Sequence, residues 1–348
     1  MRFFTEIVFS IFVLLSGLNL HAQDEMRYRI GCIAFYNIEN LFDTIDQPNV
    51  NDTEFTPEGP NKWNSSKYYE KLSNLSEVIS KIGVDLTPDG PAVLGLSEIE
   101  NRSVLSDLVM QPELRQRNYQ IVHHDGPDRR GVDCALFYNP KYFTMTNSQS
   151  RRLRVEGRDN FFTRDQLVVS GMFDGEMMHF IVNHWPSRSG GQKRSEPLRI
   201  AAARLTRSIV DSLLNIDPNA KVIVMGDLND DPVDKSVKKI MNTTDNPDKL
   251  KSDMMFNPME RLYRQGIGSL AYRDAWNLFD QLLLTQALTG NDKSTYKFYR
   301  AGVFNKPWLL QKEGAFKGYP WRSFAGGNYL GGYSDHLPVY LFLIKEEK

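Results

Sequence analysis

The sequence predicts an α/β or α+β fold of two sheets with helices outside them. Three observations lead there. At 41% hydrophobic and 24% charged, the 348-residue composition is that of a folded globular protein and excludes disordered, collagen-like and coiled-coil chains. Short runs rich in β-branched and aromatic residues recur between Gly, Pro, Asn and Asp, the sequence signature of strands. Two longer segments instead repeat their apolar residues at helical spacing. With no internal repeat, low-complexity linker or break in composition, residues 27–346 read as a single domain.

Taken in order, residues 1–22 come first and read as a secretory signal peptide: Arg2, an apolar run from Ile7 to Leu15, then Ala22 before Gln23. The run is shorter than the roughly 20 apolar residues that span a bilayer. A retained anchor is the alternative, but no basic stop-transfer flank follows. The mature chain is therefore expected to be exported to the periplasm or outside the cell, as a monomer with no stable membrane insertion. Disulfides are permitted there. Cys32 and Cys134, however, each lie in an apolar strand-like run, so buried free thiols are expected.

Strands are predicted over residues 30–36, 92–96, 134–138, 166–173, 179–182, 221–225, 282–284 and 337–343. Several, such as Val222-Ile223-Val224-Met225, are continuously apolar, which predicts burial on both sheet faces. Helices are predicted over residues 66–82, with Leu72, Leu75, Val78, Ile79 and Ile82 on one stripe, and over residues 197–214, with Pro197 in the first turn. A shorter helix is expected after Pro232. Residues 242–252 read as a surface loop, and residues 314–332, rich in Gly and aromatics, as an ordered functional loop.

Charge excludes one class of function. With 42 Lys+Arg against 43 Asp+Glu, the formal net charge of −1 gives no global attraction for nucleic acid or anionic lipid. Any grip on a polyanion must be local or metal-mediated. Two cysteines neither frame a fold nor match a zinc spacing.

Polar residues cluster where predicted strands end. Asn37 closes the first and Glu98 the next; Asn183-His184-Trp185-Pro186 and Gly226-Asp227-Leu228-Asn229 close two more, and Ser334-Asp335-His336 precedes the last. Any one of these alone reads as an ordinary turn former. Five strand ends carrying metal-preferring or phosphate-preferring groups point instead to a cleft at one sheet edge. Carboxylates and side-chain amides without Cys suit a hard cation, Mg²⁺, Mn²⁺ or Ca²⁺, rather than zinc.

In order and spacing these residues, together with Asp280, resemble the endonuclease/exonuclease/phosphatase superfamily, the DNase-I-like fold, in a secreted bacterial-type form. The resemblance runs from about residue 30 to residue 343. It implies a four-layered αββα sandwich of two mixed, mostly antiparallel sheets, a divalent metal, Mg²⁺ foremost, and hydrolysis of a phosphoester. By it, Glu98, Asn37 and Asp335 would hold the metal. His184 and His336 would flank the scissile phosphate, with Asp280 orienting His336. Asp227 would orient or deprotonate water, and Asn229 and Asn183 would donate to phosphate oxygens. Asp133 is the candidate partner of His184; a strand-entry Asp bonded to backbone is its alternative.

Arg130, Arg164 and Arg188 are candidates to clamp phosphates, whereas Arg199 and Arg204 read as a solvated helix face. Tyr138, Trp185 and Trp321 could line the cleft, with core packing as the alternative for the first two. A nuclease acting on nucleic acid is the leading expectation. A sphingomyelinase-like phospholipase, an inositol-phosphate-type phosphatase, or a binding protein that keeps the fold without catalysis stay open as alternatives.

Overall fold

The computed structural model describes residues 27–347, so the predicted signal lies outside the described residues. The first half contains β1 (Tyr28–Leu41), α1 (Ser65–Lys81), β2 (Val93–Ile99), α2 (Arg102–Val109), β3 (Gln120–His123), β4 (Asp133–Tyr138), β5 (Phe143–Arg151), β6 (Gln166–Phe173) and β7 (Glu176–His184). The second contains α3 (Gln192–Ile216), β8 (Lys221–Asp227), β9 (Thr243–Thr244), β10 (Met255–Phe256), α4 (Pro258–Arg264), β11 (Leu270–Tyr272) and β12 (Ala275–Asn277). It closes with β13 (Asp280–Leu284), β14 (Lys297–Val303), β15 (Phe324–Ala325), β16 (Asn328–Tyr329) and β17 (Val339–Glu346).

Two mixed sheets pack face to face. One is six-stranded, in the order β14-β17-β1-β2-β4-β3; the other is seven-stranded, in the order β5-β6-β7-β8-β13-β10-β9. The pairs β1–β2 and β7–β8 are parallel, and their larger neighbours antiparallel. Between the sheets lie Phe35, Leu136, Phe180, Met225, Leu282 and Leu341. Outside the first sheet, Leu72, Leu75 and Val78 of α1 cover Ala34, Tyr36 and Leu94. Outside the second, Ala203 and Val210 of α3 cover Ile181, Val222 and Val224. The sandwich flanked by helices is thus the expected fold.

The apolar run of β8 shows why the pattern is continuous. Val222 and Val224 face α3, while Ile223 and Met225 face the other sheet. Each side chain so buried contributes roughly 1.5–3 kcal/mol, so neither face tolerates a polar residue. Helix ends are set locally. Asn64 Oδ1 accepts from Lys67 N at 3.1 Å to start α1, and Asn101 Oδ1 accepts from Ser103 N at 2.7 Å to start α2 directly after β2.

Three expectations are corrected. Helix α3 begins at Gln192, so Pro197 lies inside it rather than in its first turn. Pro197 has no amide hydrogen to give to Lys193 O, and the turn that precedes it is held by side chains: Ser195 Oγ donates to Gly191 O at 2.8 Å, and Arg199 Nη1 donates to Ser195 Oγ at 2.8 Å. The supposed surface loop over residues 242–252 contains β9, whose buried Thr243 and Thr244 pair with β10 at the sheet edge. Arg199 is fully buried, not solvated, and its Nε lies 2.7 Å from Asp230 Oδ1.

Cys32 and Cys134 are buried and free. Among the described residues no helix is long and apolar enough to cross a membrane.

Far from the polar strand ends, Glu176 binds Lys221, Thr295 Oγ1 and Lys345 Nζ, the last at 2.9 Å. Burial alone would raise its carboxyl, but these donors pull it down to about 2 from 4.5. A depressed carboxyl contributes stability above its unfolded value and loses it as pH falls toward the folded value. Glu176→Gln is therefore expected to cost about 2–3 kcal/mol at pH 7. In urea unfolding the gap between variant and wild type should shrink as pH drops from about 4.5 toward about 2; a gap independent of pH would refute the assignment.

Candidate active site

Parallel pairing brings the carboxyl ends of β1 and β2, and of β7 and β8, to one end of the sandwich. Antiparallel pairing brings the start of β13 there too, with Asp280 directly opposite Asp227. Asn37, fully buried on β1, is the hub. Its Nδ2 donates to Glu98 Oε1 at 3.2 Å and to Asp227 Oδ2 at 3.1 Å, and its Oδ1 accepts from Glu39 N at 3.0 Å. Glu98 adopts φ +62° as β2 ends, a left-handed conformation uncommon away from glycine. Its second oxygen accepts from Asn40 N at 3.1 Å.

Close pairing of β8 with β7 explains Gly226, whose Cβ would lie 2.2 Å from Asn183 O on the neighbouring strand. Past it, Asp227 Oδ1 accepts from Asn229 N at 2.9 Å. That leaves Oδ2 facing His184 Nε2 at 3.6 Å and His336 Nε2 at 3.8 Å. His184 Nε2 is also 3.6 Å from Glu98 Oε1. Asn37, Glu98, His184, Asp227, Asp280 and His336 are thus brought together.

His336 Nδ1 bonds Asp280 Oδ2 at 2.7 Å, and Ser269 Oγ donates to the same carboxylate oxygen. Ser334 Oγ donates to Asn37 O at 2.7 Å and accepts from His336 N at 3.1 Å, tying the last loop to β1. The two histidines diverge electrostatically. Burial would lower His336, but Asp280 and Asp227 hold it well above its ordinary value and keep it protonated. For His184, burial and the nearby Arg164 and Arg130 act together, so it is held well below its ordinary value and stays neutral. Burial pushes Asp227 up to about 7, against the opposing pull of His336. Two environments thus divide one residue type into an acid and a neutral imidazole.

Other sequence candidates are placed elsewhere. Asp133 does not partner His184; its Oδ2 bonds His123 Nε2 at 3.2 Å and Gly126 N at 3.1 Å, because β3 runs beside it. Among the described residues His184 Nδ1 has no hydrogen-bond partner. Asp335 pairs with Arg322 on its own loop at 2.5 Å rather than with Glu98. It faces a pocket of about 310 Å³ that Asn40 and Glu39 also line. Asn37, expected as a metal ligand, uses its oxygen on Glu39 N and offers N–H to both carboxylates.

Asn183 is fully buried, and its amide is spent on Ile181 O, Met225 O and Trp185 Nε1. Asn229 Nδ2 donates to Trp185 O at 3.0 Å. Arg164 is buried on Trp185 O (2.7 Å) and Asp128 (3.3 Å), and Arg188 binds Asp234 (2.7 Å) and Asn229 O (2.9 Å). Both build the site's wall rather than clamping phosphate. Arg130 is half exposed, with its Nε 3.5 Å from Asp128 Oδ1. Tyr138 ends β4 at the end opposite Asp133 and packs on Phe143, away from the cleft. Trp185 is core.

Sequence reasoning missed a buried pair beneath the site. Lys71 on α1 donates to Ser323 Oγ at 2.6 Å and Tyr333 O at 2.9 Å, and lies 3.7 Å from Glu39, which accepts from Ser323 N at 2.7 Å. Burial drives both toward neutrality: Glu39 rises to about 7, and Lys71 falls. Lys71 sits on the apolar stripe of α1, where a cation breaks the pattern, and that break was the available signal.

A family model described as Endonuclease/Exonuclease/phosphatase family matches residues 32–345. Among solved structures the chain is similar to humanized D. rerio TDP2, with a TM-score of 0.54 and 14% identity over 90% of this chain and 98% of that one. It is similar to D. rerio TDP2 complexed with single strand DNA product (0.53, 15%, 90% and 98%). It is also similar to the Bacteroides thetaiotaomicron mannosyl-6-phosphatase (0.53, 16%, 90% and 99%). At these identities the likeness is one of fold. No curated protein matches the chain.

Proposed function

The chain belongs to the endonuclease/exonuclease/phosphatase family, and from that premise we propose that it is an exported, divalent-cation-dependent hydrolase of phosphodiester bonds in nucleic acid. One observation carries this reading: His336, held by Asp280 at 2.7 Å, faces Asp227 across the point where Glu98 and His184 also converge.

The donor set fits a hard cation. Glu98 and Asp227 bring two carboxylates to one Asn37 amide, with only a neutral imidazole beside them. Glu98 and Asp227 would hold Mg²⁺, with Mn²⁺ and Ca²⁺ as substitutes. Such an ion supplies charge neutralisation at phosphoryl oxygens and acidifies bound water. The remaining work falls to the chain. Asp227 orients water and accepts its proton, His336 donates to the developing charge on phosphorus-bound or leaving oxygen, and neutral His184 donates one N–H to the phosphoryl group. Asp280 fixes the tautomer and position of His336. The choice of nucleic acid is supported by the DNA-bound neighbour of the same fold and by the half-exposed Arg130 near His184.

A substrate panel tests the reading. Mature protein with Mg²⁺ is given plasmid DNA, RNA, sphingomyelin, mannose 6-phosphate and bis-p-nitrophenyl phosphate. Nicking of DNA or RNA that EDTA abolishes is expected, and Glu98→Ala should reduce that cation-dependent turnover by at least about 10²-fold. Turnover of lipid or sugar phosphate alone would replace the nucleic-acid reading, and wild-type rates in Glu98→Ala would remove Glu98 from the site.

A further inference from the structure

A second surface, next to the cleft, carries cations with nothing to do. Arg151, Arg154, Arg158 and Arg204 are exposed and, among the described residues, make no ion pair or side-chain hydrogen bond. By contrast the arginines beside the cleft, Arg164, Arg188, Arg199 and Arg322, are all paired with carboxylates. Only Glu156 and Asp159 oppose the free arginines on the same stretch. An unpaired arginine cluster in a chain of net charge −1 is a local field that bulk charge conceals.

Shape and connection add to charge. Residues 152–155 separate two grooves. One, of about 520 Å³, runs between Arg154 and Arg204 on α3; the other, of about 290 Å³, is lined by Arg158 and Phe162. Phe162 is 40% exposed, with the Arg129 guanidinium 5.3 Å over one face of its ring. The stretch then runs into the site, since Arg164 anchors its far end on Trp185 O, the residue after His184. Cations that follow a groove with interleaved aromatic rings suit a flexible polyanion with unstacked bases; a duplex would keep its bases away from Phe162.

We propose that this arginine-lined surface is a track for single-stranded nucleic acid leading into the cleft. The inference deepens the phosphodiester reading and rests on it. Phosphates lie along Arg154, Arg158 and Arg204, and a base stacks on Phe162. The strand then passes Arg129 and Arg130 to reach His184.

The test is binding of the mature full-length protein to oligothymidylates in EDTA, read by fluorescence anisotropy at several salt concentrations. A twelve-nucleotide strand is expected to bind at least about tenfold tighter than a dinucleotide, because only it covers several phosphate contacts. The double variant Arg154→Glu/Arg158→Glu should weaken the long strand by about tenfold or more. It should also cut the slope of log affinity against log salt by about 1.4, two contacts at about 0.7 each, while leaving the dinucleotide unchanged. Phe162→Ala should weaken the long strand without changing that slope. If the charge-reversed variant does not fold, as judged by thermal unfolding, Arg154→Gln/Arg158→Gln replaces it. Equal affinity for both lengths, or wild-type binding by the folded variant, overturns the track. Turnover of bis-p-nitrophenyl phosphate without length-dependent binding sinks the track alone. Length-dependent binding without turnover of any phosphoester sinks the hydrolase reading alone.

Discussion

His336→Ala should lower kcat on a phosphodiester by about 10²–10⁴-fold, the range a positioned general acid commands. The size follows from the surroundings. Asp280 and Asp227 keep the imidazole charged, and of the two histidines that face Asp227 Oδ2 it is the charged one, since His184 is held neutral. Asp280→Asn should lose less, because the imidazole survives but loses the carboxylate at 2.7 Å that fixes it. Since Asp280 acts through His336, the double variant should be barely worse than His336→Ala alone. Single-turnover kinetics on all three variants makes the check. Two losses that multiply would show that Asp280 works independently, and turnover near wild type in His336→Ala would remove the histidine from the chemistry.

The largest expected effect on stability lies behind the site. Arg199 is fully exluded from solvent on α3, and its Nε meets Asp230 Oδ1 at 2.7 Å as an ion pair not aligned as a hydrogen bond. Asp230 immediately follows the Gly226–Asn229 turn, so the pair fastens α3 to the catalytic strand end. Arg199→Leu strands a buried carboxylate, a loss typically of about 3–5 kcal/mol. Arg188 Nη2, 3.3 Å from the same oxygen, compensates in part and places the expectation near the lower figure. Urea unfolding measures it. Adding Asp230→Asn should recover much of the loss, because the stranded charge is then gone; a double variant as unstable as the single one would mean that packing, not charge, is the cause.

How much of this was legible in the chain depends on what each residue needs from its surroundings. Strands buried on both faces announced themselves, because Val222 to Met225 must be apolar in either direction. Strands β3, β5 and β14 did not. Edge strand β5, Phe143–Arg151, reads FTMTNSQSR and is mostly exposed, so its pattern is that of a loop; only pairing with β6 makes it a strand. Helix α2 was missed for its eight residues, too short to display a stripe. Asn37, Glu98 and Asp227 were legible at strand ends because topology, once two sheets are granted, carries them to the same edge, whereas Asp280 was placed by the resemblance alone.

Partner choice was legible only in part. The resemblance paired Asp280 with His336, and the two lie 2.7 Å apart, but Asp133, read as the partner of His184, is taken by His123 on the adjacent strand. Arg164, Arg188 and Arg199 look like phosphate clamps or solvated cations in sequence. In the fold they hold backbone carbonyls and buried carboxylates, while Arg151, Arg154 and Arg158, which drew no notice, are left free. The sequence by itself determined the two-sheet architecture and which polar residues reach its active edge, because periodicity and strand order are properties of the chain alone. Only the tertiary structure decided which histidine carries a proton, which histidine Asp133 serves and which arginines stay available to a substrate. Those outcomes depend on burial and on distances of a few ångströms between residues far apart in the chain, where Coulomb interaction and desolvation vary most steeply.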